Sequence, residues 1–584
     1  MSRWCRLVLV STACLALGCA ASLDTPTGAT FEVTFPASLH EGPLDGRLYL
    51  MVSAREYDGS PATEPRSLVA NWRGGEPLFA IDVENWMPGE PAVFDTSAIG
   101  FPVDGLSDLP AGDYHFQAML HVYTTFNRAD GHTVKLPMDQ WEGQNWRLSP
   151  GNIYADVSTL HAAFDPADSS QTVRLELTNE IPARPELPDD TEYVKYRKFR
   201  SDILSDWWGT DMYLGAIVLV PPGWSADSDM KYPVAYYQGH FHDYFYTPAT
   251  FREEPPTEDL EGYDRTYAEF SHQLYQDWSS GKLPKFTVVT MQHPNPYFDD
   301  SYAVNSENIG PYGDAMTQEL IPMVEEEFGG IGDGWSRTLY GGSTGGWESL
   351  AWQVKYPDLF NGAWVNCPDP IDFRYYQLVN LYDDKNAFYP NSSWRKDPIR
   401  PFMHDPDGQV LMSVKQASQM EIVLGTNGRS GQQLDVWQAV YAPVGDDGYP
   451  MDVWDKQTGV INPEVRDYMR ENYDLSYIIR RDWETLGPKL EGKLRIAVGD
   501  EDNFYLEEAV MLLEDFLEET TSPYYAGTFD YGYRHPHCYS GQPADQSVRI
   551  TRLTYNQRIL PQMSDHVART APPGADMRWR QNRP

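Results

Sequence analysis

Arg337-Thr-Leu-Tyr340-Gly341-Gly342-Ser343-Thr344-Gly345-Gly346-Trp347 is the stretch that decides the fold. Arg337 to Tyr340 reads as a short strand and Trp347 to Tyr356 as a helix, so Gly341 to Gly345 must turn the chain from one into the other. These five residues fit G-x-S-x-G. So tight a strand-to-helix turn forces the serine into strained backbone geometry, and glycines two before and two after it remove Cβ atoms that would clash. The Ser343 hydroxyl then projects above the carboxyl edge of a sheet. The following helix directs its positive end there, and the Thr344 N–H can donate to an oxyanion. A glycine-rich turn with an unreactive serine is the bland reading, and the setting between strand and helix weighs against it.

On both sides of this turn, strands alternate with helices. Met212 to Val220, Tyr232 to Tyr237 and Phe286 to Gln292 are apolar runs of strand length, and Ala315 to Phe328 carries a helical apolar face. Ala363 to Asn366, Leu494 to Val498 and Thr528 to Tyr531 are further strands, with a helix at Leu506 to Glu519. The pattern predicts an α/β fold: a doubly wound, mostly parallel sheet with helices on both faces. Before it, residues 31 to 178 read as all-β and sandwich-like. Gly46 to Ser53, Tyr114 to Tyr123 and Val173 to Thr178 are strand-like there, and Gly, Pro, Asp and Asn clusters separate them. The expected organisation is a signal segment at 1–22, a β domain at 23–180, a Pro-rich linker at 181–192, and a catalytic domain at 193–545. The last is interrupted by an insertion at 372–492, a candidate lid rich in Tyr and Trp, and a C-terminal helix and tail follow at 546–584.

Composition narrows the partners. The 584 residues carry a formal charge of −40 and are 41% hydrophobic, which excludes a largely disordered chain. The negative charge argues against nucleic acid and against an anionic membrane surface. Arg3 and Arg6 precede an eleven-residue apolar run, Leu7 to Leu17, too short to span a bilayer and fitting a secretory signal. Leu15-Ala-Leu-Gly-Cys19 resembles a bacterial lipoprotein processing site, with Cys19 as the lipid attachment point. The expected location is therefore exported, as a periplasmic or outer-membrane lipoprotein, with the membrane touched only through that anchor. Cys5 and Cys14 leave with the signal. Cys367 and Cys538 remain, a candidate disulfide, with two separate buried thiols as the bland alternative.

A serine nucleophile needs a base, and the base an orienting acid, met in the chain order Ser, acid, His. Gly499-Asp500-Glu501-Asp502-Asn503 follows a strand and precedes a helix. Asp502 is the expected acid, with Asp500 closer to the strand and Glu501 solvated. Tyr531-Gly-Tyr-Arg-His535-Pro-His537-Cys538 follows the last strand, giving His537 as the first choice of base and His535 as the second.

With these motifs, residues 210 to 545 resemble the esterase D-like esterases of the α/β-hydrolase superfamily, which include enterochelin-esterase-like proteins. The resemblance implies Ser343 as nucleophile, Asp502 as acid, His537 as base and Thr344 as one oxyanion donor, with no cofactor. The second donor comes from Tyr237-Gln-Gly-His-Phe241, where relatives usually carry His-Gly in that order. Gly239, His240 and Phe241 all stay open for that role. The implied substrate is a small-molecule or polysaccharide-linked ester, cleaved through an acyl-enzyme, and the β region resembles sandwich domains that precede such esterases.

Rival readings use the same residues. His240-Phe-His242 and His535-Pro-His537, with Asp243 or Cys538, have zinc-ligand chemistry, although the serine motif already accounts for that edge and no metal is expected. Trp394, Trp437 and Trp454 could line a sugar or aromatic-ester cleft. A non-catalytic glycan-binding lipoprotein is the alternative function, and acyl transfer or peptide hydrolysis would use the same triad.

Overall fold

The computed structural model describes residues 28–69, 75–159, 164–239, 251–391, 399–543, 547 and 554–580. The signal segment with Cys19, the stretch holding His240, Phe241, His242 and Asp243, and Trp394 lie outside the described residues.

The larger part of the chain is built on an eight-stranded sheet. Its strands are β1 (Val194–Ser201), β2 (Met212–Leu219), β3 (Val234–Gln238), β4 (Thr287–Gln292), β5 (Arg337–Gly342), β6 (Ala363–Asn366), β7 (Leu494–Gly499) and β8 (Thr528–Gly532). They lie in the order β1-β2-β4-β3-β5-β6-β7-β8. β2 runs antiparallel to both neighbours, and every other pairing is parallel. β3, β4 and β6 are buried along their whole length, as a sheet covered on both faces requires. β1 is a strand the apolar pattern does not reveal. Lys195, Arg197, Lys198 and Arg200 give it a charged edge, which discourages pairing with further strands. The chain leaves β3 for β4 on one side and returns to β5 on the other, a reversal that opens a crevice at the carboxyl ends of β3 and β5.

The helices that matter for the site are α1 (Gly262–Ser279), α2 (Ile321–Phe328), α3 (Thr344–Lys355), α4 (Val414–Leu424), α5 (Gln433–Tyr441), α6 (Glu507–Glu518) and α7 (Tyr555–Thr570). The helix expected from Trp347 begins three residues earlier, because Ser343 itself is its N-cap. α4, α5 and a small hairpin (Pro401–His404 with Val410–Ser413) belong to the long connection from β6 to β7. α7 braces the sheet from behind, where Tyr340 Oη donates to Asn556 and Asn366 contacts the Tyr555 hydroxyl.

The N-terminal sandwich-like region takes the form of one continuous nine-stranded sheet among the described residues. On its long central strand, Leu44–Ser53, alternate residues serve two cores. Leu48, Leu50 and Val52 join Phe116 and Leu120 in a core of their own. Tyr49 and Met51 join Met119 in the core shared with the eight-stranded sheet. This second face meets the C-terminus of α4, whose last carbonyls have no intrahelical partner. Arg47 Nε donates to Val423 O (3.0 Å) and Arg47 Nη2 to Ile422 O (2.8 Å), while Tyr49 Oη donates to Leu424 O (2.6 Å). Arg47 also pairs with Asp82 at 3.2 Å. A buried guanidinium is well matched to the negative end of a helix.

Candidate active site

Ser343 has φ 59° and ψ −124°, a left-handed backbone that costs a non-glycine residue on the order of 1–3 kcal/mol. The glycines around it let neighbouring backbones close in. A Cβ on Gly341 would lie 2.3 Å from Gly345 O, and one on Gly345 would lie 2.0 Å from Gln238 O. The elbow therefore rests directly against the end of β3. As the first residue of α3, Thr344 presents an N–H with no carbonyl one turn before it, at the helix end that favours negative charge. Of the expected second oxyanion donors, Gly239 directly follows β3 and His240 falls outside the described residues.

The loops after β7 and β8 bring Asp502 and His537 to this turn. His537 Nε2 lies 3.0 Å from Ser343 Oγ, and His537 Nδ1 lies 2.8 Å from Asp502 Oδ2. Asp502 is fully buried, and its other oxygen accepts from Phe504 N–H at 2.9 Å. Burial disfavours the His537 cation, but the charge and hydrogen bond of Asp502, aided by Cys538, outweigh it and hold the imidazole well above its ordinary pKa. Burial, reinforced by Asp502, pushes nearby Glu507 up to about 8, which keeps a second negative charge away from Asp502 at neutral pH. Asn503 ties the loops together. Its Oδ1 accepts from His537 N–H (3.1 Å), and its Nδ2 donates to His404 O (2.8 Å) on the hairpin. The Phe504 ring stands edge-on to His537, with centroids 5.0 Å apart.

The other loop candidates are turned elsewhere. Asp500 accepts from the Arg534 N–H, a contact between the loops after β7 and β8 that leaves its carboxylate away from His537. Glu501 is exposed. The His535 ring lies against Tyr539 at 5.0 Å and beside Gln542 at 3.4 Å.

One carboxylate at the site is absent from the sequence reading. Asp369, in the turn after β6, is 3% exposed. Its Oδ1 is 3.3 Å from Ser343 Oγ. Its Oδ2 accepts from Tyr302 Oη (2.6 Å), Thr344 Oγ1 (2.9 Å), Trp437 Nε1 (3.1 Å) and Gln433 Nε2 (3.3 Å). Insertion helix α5, through Gln433 and Trp437, is thus bonded to the back of the nucleophile turn. Trp437 and Trp454 do not line an open cleft, since both are buried, at 1% and 2% exposure. Deeper still, burial and Asp300 push Glu348 on α3 well above the usual carboxylate range.

The expected Cys367–Cys538 disulfide is not formed, and both residues are thiols. The strand order does bring them together: the two sulfurs and a His537 ring nitrogen all lie within 4.8 Å of one another. A disulfide needs a separation of about 2.05 Å and a dihedral near 90°. Cys367 is held in its own place by an N–H bond to Ala497 O on β7 (2.6 Å), and both cysteines have left-handed backbones, φ 34° and 71°. Burial keeps the Cys367 thiol pKa well above its ordinary value.

A family model described as Putative esterase matches residues 210–477. No curated protein matches the chain. Among solved structures, a ferulic acid esterase is 13% identical, covers 64% of this chain and 99% of its own, and superposes with a TM-score of 0.34. An S-formylglutathione hydrolase from Agrobacterium tumefaciens is 13% identical, covering 66% of this chain and 98% of its own at a TM-score of 0.32. FphF, a fluorophosphonate-binding serine hydrolase of Staphylococcus aureus, is 12% identical, covering 64% and 99% at a TM-score of 0.32.

Proposed function

We propose that this chain, whose residues 210–477 match a family model described as Putative esterase, hydrolyses carboxylic esters with Ser343, His537 and Asp502 through an acyl-enzyme. The observation that carries the reading is the line of contacts at the elbow, 3.0 Å from Ser343 Oγ to His537 Nε2 and 2.8 Å from His537 Nδ1 to Asp502. With Nδ1–H donated to the carboxylate, Nε2 keeps its lone pair toward the hydroxyl. Ser343 Oγ attacks the ester carbonyl as Nε2 takes its proton, and the resulting imidazolium is stabilised by Asp502. The Thr344 N–H, with a second donor from the loop after β3, receives the charge that develops on the carbonyl oxygen. His537 then protonates the leaving alcohol, and water repeats the sequence in reverse on the acyl-serine.

The reading extends to a polymer-linked or otherwise extended alcohol, supported by a cavity farther along the same sheet edge. A cavity of about 780 Å³ opens where Trp141, Pro150, Leu187, Tyr213 and Gln292 meet. Gln292 ends β4, two strands from β5, which is about 10 Å sideways along the same edge. The reading includes export and lipid anchoring at Cys19, supported by the apolar run and small residues before that cysteine.

A fluorophosphonate probe tests the chemistry. It should label Ser343 in the intact protein, and Ser343→Ala should lose both labelling and hydrolysis of nitrophenyl esters with its circular dichroism unchanged. Hydrolysis retained by the alanine variant would overturn the proposal. Labelled palmitate incorporated by the wild type and not by Cys19→Ala would support the anchor.

A further inference from the structure

Among the described residues, two clusters of metal-ligating side chains stand out, and their protons distinguish them. The first is His293, Asp300 and Glu348, all fully buried. There His293 Nδ1 accepts from Ser301 N–H at 3.1 Å, so the ring proton sits on Nε2, which faces Glu348 Oε1 at 3.9 Å. A ring that points an N–H at carboxylates offers no lone pair to a cation. The second cluster is Cys367, His537 and Cys538, and there the protons are arranged the other way. His537 gives its Nδ1–H to Asp502 at 2.8 Å, so Nε2 carries the lone pair. A histidine whose remaining N–H is held by a carboxylate is the arrangement that orients imidazoles on zinc.

We propose that Cys367, Cys538 and His537 form a site for a soft divalent cation, zinc or a chemically similar ion, and that occupancy switches the triad off. Two sulfurs and an imidazole are a zinc donor set. Bond lengths of about 2.3 Å to sulfur and 2.0 Å to nitrogen put tetrahedral donors roughly 3.5–3.8 Å apart. The two sulfurs and a ring nitrogen of His537 lie within 4.8 Å of one another, and binding draws the donors about 1 Å closer with Nε2 turned to the metal. Cys538 is partly exposed and gives an approach from outside, while Cys367 is buried. Binding releases one proton from each thiol to solvent and forms two metal–sulfur bonds and one metal–nitrogen bond, with no change of oxidation state. The metal takes the Nε2 lone pair that would otherwise accept the Ser343 proton, so the bound protein has no general base.

The inhibitory consequence rests on the esterase reading, and the binding does not, so the experiment reads them separately. Cobalt(II) is titrated into reduced full-length mature protein and into its Ser343→Ala variant. A thiolate-to-cobalt charge-transfer band in the near ultraviolet is expected in both, about halved in Cys538→Ser and in Cys367→Ser. Zinc should inhibit nitrophenyl ester hydrolysis, EDTA should reverse the inhibition, and Cys538→Ser should raise the half-inhibiting zinc concentration at least about tenfold. No charge-transfer band, or a band indifferent to both cysteine changes, overturns the site. Thiol titration finding both cysteines oxidised in the unreduced protein overturns it as well. A band without any esterase activity in the wild type would keep the site and overturn the proposed function.

Discussion

Asp369 and Asp502 are two buried carboxylates at one sheet edge, in the turns after adjacent strands, and they are held in opposite ways. Asp502 accepts from one imidazole and one backbone amide. Asp369 turns one oxygen to Ser343 and gives the other to four neutral donors, from Tyr302, Thr344, Gln433 and Trp437. The partner decides the role. An imidazole that becomes charged during turnover draws on the full negative charge of its neighbour. Hydroxyls, an amide and an indole that never ionise draw only on acceptor geometry. On the proposed reading, Asp502 is the electrostatic partner of the base, and Asp369 is a fastening that holds the Ser343 turn to the insertion.

The contrast makes graded predictions. Asp502→Asn should cost on the order of 10⁴ in kcat, because the amide favours the wrong imidazole tautomer, and steady-state kinetics on a nitrophenyl ester reads it. Next comes the pH profile, measured in EDTA. The base works only when neutral, so kcat/KM should fall about tenfold per pH unit below its pKa. Asp502 raises that pKa, so the midpoint should lie above the ordinary value of about 6.5. Asp502→Asn should move the midpoint down, and no movement would break the link between charge and base. Asp369→Asn should have a smaller effect. It keeps one acceptor but turns an NH₂ toward groups that donate, costing about 1–3 kcal/mol of stability and roughly tenfold in kcat, read by thermal melting and kinetics together. If it matched Asp502→Asn, the division of roles would fail. Smallest is Asp500→Asn, whose carboxylate accepts from the Arg534 N–H and does not reach His537, with kcat changed by less than about twofold.

The same two residues mark how far the sequence could be read. Asp502 was legible because strand, loop and helix follow one another locally and the order Ser, acid, His limits the choice. Asp369 sits in Asn366-Cys-Pro-Asp-Pro370, where only an acid between prolines after a strand hints at a special turn. Its partners arrive from β4's loop and from α5, as far as 68 residues away in sequence, and no local pattern encodes such a meeting. Cys367 and Cys538 illustrate a different limit. Both cysteines follow strands that end at one sheet edge and so are neighbours, but whether two neighbouring sulfurs bond depends on angles that backbone restraints on each side set. The β domain held a readable clue: Leu48 to Ser53 is apolar or aromatic at almost every position, not only at alternate ones. A strand of that kind is buried on both faces, and so implies a second body to pack against.

That second face has a consequence for how the chain can be cut. Residues 182–192 between the two bodies are almost all exposed, the kind of segment a protease finds first. Yet Arg47 and Tyr49 grip the end of α4 with three hydrogen bonds, and Tyr49, Met51 and Met119 are embedded in the larger body's core. A nick in the proline-rich segment therefore severs the polypeptide without separating its halves. The two fragments should travel as one species through a sizing column and part only in denaturant, and the larger fragment expressed alone should carry an oily, aggregation-prone face.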